Sequence, residues 1–161
     1  MKIYFATDHA GFALKEKILP FVKSLGYETE DCGAKTFNIG DDFPDYISLA
    51  SRAVSLDPAN ARAIIFGGSG QGEAMLANRY KKVRATVYYG EPKTGWFKKN
   101  SENIIGLSRS HNDANVLSIG ARFVTEAETK KAVETWLKLP FSGEERHRRR
   151  INKIEEITNK I

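Results

Sequence analysis

The chain has 161 residues, of which 41% are hydrophobic and 28% charged, enough for one packed domain that needs no disulfide or metal as a staple. No apolar run approaches the roughly 18 residues of a membrane span. The short opening Met1–Ala6 runs directly into Thr7-Asp8-His9, which excludes a signal peptide, and a cytoplasmic location follows as the default. The single cysteine, Cys32, has no internal partner, in agreement with a reducing compartment, and reads as a small buried residue at a strand end. A net charge of +5 raises nucleic acid as a partner, but Lys and Arg are scattered except in Arg146-His147-Arg148-Arg149-Arg150.

Lys2 to Thr7 reads as a strand, followed by a helix over Gly11 to Leu25 whose Leu14, Ile18, Phe21, Val22 and Leu25 share one face, with Pro20 expected to kink or break it. Tyr27 to Cys32 is a second strand. Asp42-Phe43-Pro44 then opens a helix with a capping carboxylate and an early proline, and Phe43, Tyr46, Ile47, Ala50 and Val54 form its buried stripe. Ala63 to Phe66 is an uninterrupted apolar run of the kind found in a central parallel strand. The turn Gly67-Gly68-Ser69-Gly70-Gln71-Gly72 leads from it into a helix over Glu73 to Arg79.

Val83 to Tyr89 and Val116 to Ile119 complete five strands. Thr125 and Glu128 have capping-box spacing ahead of a helix carrying Ala132, Val133, Trp136 and Leu137. In a last helix, from about 143, Ile151, Ile154, Ile157 and Ile161 fall on one side. Strands alternating with helices predict a parallel open sheet with helices on both faces, whose ligands bind outside the carboxyl ends of the strands.

Around those strands lie several reactive segments. The glycine-rich turn lacks the lysine of a phosphate-binding P-loop, and a full dinucleotide fingerprint belongs after a first strand. It suits either an oxyanion held by backbone N–H groups at a helix start or a plain tight turn with positive φ. Glu73 is either a favourable partner of the helix dipole or a general base that takes a proton from carbon beside a carbonyl. Asp8 and His9 read as a helix-start motif or as site residues, His111 and Asn112 as loop polars or as site residues, and the arginine run as a solvated face or a binding face.

Taken together, Thr7-Asp8-His9-Ala10-Gly11, Asp42-Phe43-Pro44-Asp45, Gly67 to Glu73 with Ala77-Asn78-Arg79, Ser108 to Asn115 with Gly120-Ala121-Arg122, and the arginine run resemble the ribose-5-phosphate isomerase B family, which includes galactose-6-phosphate and allose-6-phosphate isomerases. The resemblance covers nearly the whole chain. It implies a Rossmann-like α/β fold, a three-layer α/β/α sandwich with a five-stranded parallel sheet, in one sugar-phosphate isomerase domain over 1–161. It further implies a homodimer or homotetramer with shared active sites, and catalysis with no metal and no other cofactor. The implied reaction converts ribose 5-phosphate to ribulose 5-phosphate through an enediolate. Isomerisation of allose or galactose 6-phosphate, or sugar-phosphate binding without turnover, are the alternatives.

Many members of that family carry a cysteine base where this chain has Gly67, whereas a second branch, which this chain resembles, has glycine there and a glutamate matching Glu73. The resemblance assigns proton transfer between C2 and C1 to Glu73, proton shuttling between the oxygens to Ser69, and the oxyanion to the N–H groups of Gly70, Gln71, Gly72 and Glu73. His111 with Asp8 opens the sugar ring, Asn112 orients the substrate, and His9, Arg122, Arg146 and Arg150 clamp the phosphate, a task for which guanidinium forks are apt. Arg146 and Arg150 share a helical face, which accounts for the basic run without nucleic acid. Between Arg84 and His111 the chain exceeds the family pattern by about ten residues. That insertion, around 89–107 with Lys93, Trp96, Phe97, Lys98 and Lys99, reads as an interface element or as a lid over the sugar.

Overall fold

A computed structural model of the chain describes residues 1–90 and 103–158. Five strands, β1 (Lys2–Thr7), β2 (Glu28–Asp31), β3 (Ala61–Gly67), β4 (Ala85–Tyr88) and β5 (Val116–Gly120), form one parallel sheet in the order β2-β1-β3-β5-β4. Among the described residues the helices are α1 (Phe12–Ser24), α2 (Phe43–Leu56), α3 (Gln71–Ala77), α4 (Ile104–Ser110), α5 (Glu126–Lys138) and α6 (Glu145–Thr158).

Alternation along β3 sorts the core into two layers. Ile64 and Phe66 face one side, with Ile18 and Val22 of α1 and Val133 and Trp136 of α5, while Ala63 and Ile65 face the other, with Ile47, Ala50 and Val54 of α2 and Ala77 of α3. Residues buried on both faces explain why the central strands are continuous apolar runs. This is the three-layer α/β/α arrangement expected, and both core layers are built from residues at zero or near-zero exposure.

Local chemistry departs from expectation in two places. Helix α1 runs through Pro20 without a break, because Pro20 sits on the exposed side, where the carbonyl it leaves unpaired can meet water. Asp42 occupies the N-cap position of α2 but makes no side-chain capping bond. The capping box at the start of α5, by contrast, forms in both directions between Thr125 and Glu128.

The insertion read around 89–107 falls mostly on residues outside the described ones, and its described end is the first part of α4. Helix α6 shares no substantial contact with another helix or strand among the described residues, and its Ile154 and Ile157 stay 57% and 53% exposed. Among the described residues no helix is long and apolar enough to cross a membrane.

Candidate active site

From β1 the chain moves outward to β2 and then returns to place β3 on the other side of β1. At such a switch point the loops leaving the two strands diverge and open a crevice at their carboxyl ends. A cavity of about 350 Å³ lies there, lined by Asp8 and His9 after β1, Ser69, Gly72 and Glu73 after β3, and Arg122 after β5.

The glycine-rich turn sets the position of Glu73. Gly70 caps α3 in the left-handed region, φ 75°, a conformation that suits glycine, and its carbonyl accepts the Ser118 hydroxyl at 2.7 Å. Helix α3 thus starts at Gln71, two residues earlier than expected, and Glu73 sits in its first turn, only 5% exposed. Its carboxylate turns back over Gly67: a Cβ on residue 67 would lie 1.7 Å from Glu73 Oε1. Glycine at 67 is therefore the condition for a carboxylate at this spot.

Burial pushes the Glu73 carboxyl up, its own backbone N–H opposes that, and the nearby charge of Asp8 adds to the rise. Asp8 is itself only 7% exposed and is fixed by accepting the Ala10 N–H at 2.9 Å. The Arg122 guanidinium lies over the next residue, Gly68, where an added Cβ would stand 3.0 Å from Arg122 Cζ. The N–H groups in the first turn of a helix have no intrahelical acceptor, and that of Gln71 reaches only the Ser69 hydroxyl at 3.4 Å. A buried base, a hydroxyl, a row of N–H donors and a guanidinium around one space suit proton abstraction beside a carbonyl in an anionic substrate.

The remaining expected residues lie elsewhere. Helix α4 carries the chain back across the sheet, so the segment after it ends near the amino ends of β4 and β5. There the Asn115 side chain accepts the Arg84 N–H at 2.8 Å, and Arg84 Nε donates to the Asn112 and Asp113 carbonyls at 3.0 Å. Asp113 has φ 44° and is gripped from both sides, by Arg84 at 2.9 Å and by the buried Arg109 at 2.8 Å. This clamp holds the loop that carries His111 and Asn112, and His111 lines a different cleft. One chain does not bring His111 to Asp8, because the two stand at opposite ends of the parallel strands.

Helix α6 joins the same end. Ser142 N–H donates to the Ser110 carbonyl at 3.1 Å, and the buried His147 ring lies 4.2 Å from that of His111. With His147 facing inward, Arg146 and Arg150 face solvent, and Arg146 Nε pairs with Glu144 at 2.8 Å. They stand apart from the residues lining the Glu73 cavity.

Sequence reasoning passed over Phe43 and Phe123, which wall the cavity, and Asp41, which hydrogen-bonds His9. Phe43 belongs to a segment singled out in the sequence, but Asp41 lies 32 residues from its partner in a loop and carries no local pattern. Asp8, His9 and Asp41 offer ligand atoms within 4.8 Å of one another, of which His9 Nδ1 and Asp41 Oδ1 already meet at 2.7 Å. Cys32 takes no part: burial pushes its thiol up to about 11, and it lies outside the cavity lining.

Comparison with known proteins agrees with this geometry. The family model described as ribose/galactose isomerase matches residues 3–154. The ribose-5-phosphate isomerase B of Mycobacterium tuberculosis is 35% identical over 156 residues, covering 97% of this chain and 89% of its own length. A crystal structure of ribose-5-phosphate isomerase B from Mycoplasma genitalium with bound ribulose 5-phosphate superposes with a TM-score of 0.87 at 34% identity, covering 99% of this chain and 97% of that one. The ribose-5-phosphate isomerase B structure of Clostridium thermocellum gives 0.86 at 36% identity, with 99% of each chain covered. A five-stranded parallel sheet with its crevice at the β1/β3 switch point, matched over nearly its whole length, makes this chain a member of the ribose/galactose isomerase family.

Proposed function

We propose that this chain interconverts ribose 5-phosphate and ribulose 5-phosphate, with Glu73 as the base. The observation that carries this reading is the buried Glu73 carboxylate, seated over Gly67 in a cavity that also holds Asp8, Ser69 and Arg122. Glu73 takes the proton from C2 of the open aldose, the C2 electrons move into the C1–C2 bond, and the C1 carbonyl becomes an oxyanion. The N–H groups of Gly70, Gln71, Gly72 and Glu73 hold that oxygen. Ser69 relays the hydroxyl proton from O2 to O1, and Glu73 returns its proton to C1, leaving the ketone at C2.

His9 and Arg122 take the phosphate. His111 opens the ring, removing the anomeric proton and protonating the ring oxygen, and Asn112 orients the sugar. These two and the arginines 146 and 150 come from a second copy, so the working unit is a homodimer or a dimer of dimers. The split of the site between the two ends of the sheet supports this, as do the exposed Leu49, Met75, Ile154 and Ile157, apolar surface of the kind that protein contacts cover. We read the chain as one cytoplasmic isomerase domain.

The test is Glu73→Gln, followed by loss of the C2 proton of ribose 5-phosphate in deuterated water. Exchange and turnover should fall about a thousandfold with KM little changed. A variant that exchanges at near the wild-type rate sinks the assignment. In the wild type, the raised Glu73 carboxyl means that the working carboxylate is lost on acidification at a higher pH than a free glutamate would show. The acid limb of kcat/KM should sit correspondingly high.

A further inference from the structure

His9 makes two contacts with a single oxygen. Its backbone N–H donates to Asp41 Oδ1 at 3.0 Å, and its ring Nδ1 lies 2.7 Å from the same atom. The Asp41 side chain is 6% exposed, against 21% for that of His9, and Asp8 Oδ2 stands 3.9 Å from the same ring nitrogen. Asp41 itself is outside the cavity lining, whereas His9 and Arg122 belong to it. With Nδ1 committed to Asp41, Nε2 is the ring nitrogen left for a ligand.

What Nε2 offers depends on the charge of the ring. In the neutral imidazole that keeps Nδ1–H for Asp41, Nε2 is a bare lone pair, which repels a phosphate oxygen. In the imidazolium it is a charged N–H donor, which attracts one.

We propose that Asp41 is a positioning residue that holds His9 as an imidazolium, so that His9 and Arg122 form a doubly cationic seat for the substrate phosphate. This rests on the reading of His9 as a phosphate ligand. The hydrogen bond that the His9 ring donates to Asp41 is the largest influence on His9. Desolvation opposes it, the charges of Asp8 and Asp41 reinforce it, Arg122 works against it, and the balance raises His9 above its ordinary value. Burial works to raise the Asp41 carboxyl, but the His9 backbone N–H, ring and charge, with a smaller part from Tyr46 of α2, hold it low. The cation should persist to higher pH than in a free histidine and disappear as pH rises through the raised value.

Asp41→Asn keeps an oxygen acceptor for Nδ1 and removes only the charge. KM and kcat for ribose 5-phosphate, measured for this variant and the wild type between about pH 5.5 and 8.5, read the effect. The variant-to-wild-type KM ratio should peak at about tenfold, the scale of one charged hydrogen bond, in the pH window where His9 has lost its proton in the variant and still holds it in the wild type, with kcat nearly unchanged, and should return toward one on acidification of the same sample. A ratio near one throughout, while His9→Gln raises KM, overturns the role of Asp41. A raised ratio that acid does not restore also overturns it, because the substitution then acts through folding. If His9→Gln leaves KM unchanged, the phosphate reading of His9 fails first, and the role of Asp41 falls with it.

Discussion

The two ends of the sheet are built differently. At the carboxyl ends, Asp8 and Glu73 are nearly buried, held by local turns, and face into a cavity with Arg122. At the amino ends, His111 and Asn112 sit on a loop clamped from behind through Asp113, and Arg146 and Arg150 stand exposed on α6. One end forms a pocket around a buried carboxylate, while the other turns its groups outward. Such a pairing suits a site completed between two copies, since in a two-fold dimer one copy's outward groups can meet the other's cavity.

The sharpest way to break the inward half is at Gly67. Because a Cβ there would lie 1.7 Å from the Glu73 carboxylate, Gly67→Ala must displace that carboxylate, and with Glu73 as the proposed base we expect a loss of about a hundredfold or more in kcat. Adding Glu73→Ala to Gly67→Ala should cost almost nothing further. A fully active Gly67→Ala enzyme would show that the base does not sit where the structure puts it.

The outward half should respond differently. Replacing Arg146 or Arg150 with alanine removes an exposed charge and no buried contact. The expected change is about a tenfold rise in KM for ribose 5-phosphate with kcat nearly retained. Unchanged KM in both variants would remove these arginines from the phosphate clamp and blur the distinction between the two ends.

How much of this was legible in the sequence follows from the range of the interactions. Glu73 and its turn are written in consecutive residues, as are the capping box at Thr125 and the apolar runs of the central strands, so their positions could be read locally. The end of the sheet on which His111 falls could not. That depends on α4, a helix of seven residues that begins inside the stretch read as an insertion and reverses the chain before β5. Asp41 stayed hidden because its bond to His9 spans 32 residues. The exposed side of α6 was visible as a stripe of isoleucines, but a stripe alone does not say whether its own chain or another covers it.

The most direct measurement mixes two inactive variants, Glu73→Gln and His111→Asn, by dissociating and reassociating them together. Each carries a defect in a different half of the site. If the halves come from different copies, a mixed dimer has one site with both defects and one with neither, so random pairing should restore about a quarter of the wild-type activity. A mixture as inactive as its components, in which mixed dimers are shown to form, would mean that each site is built within a single chain.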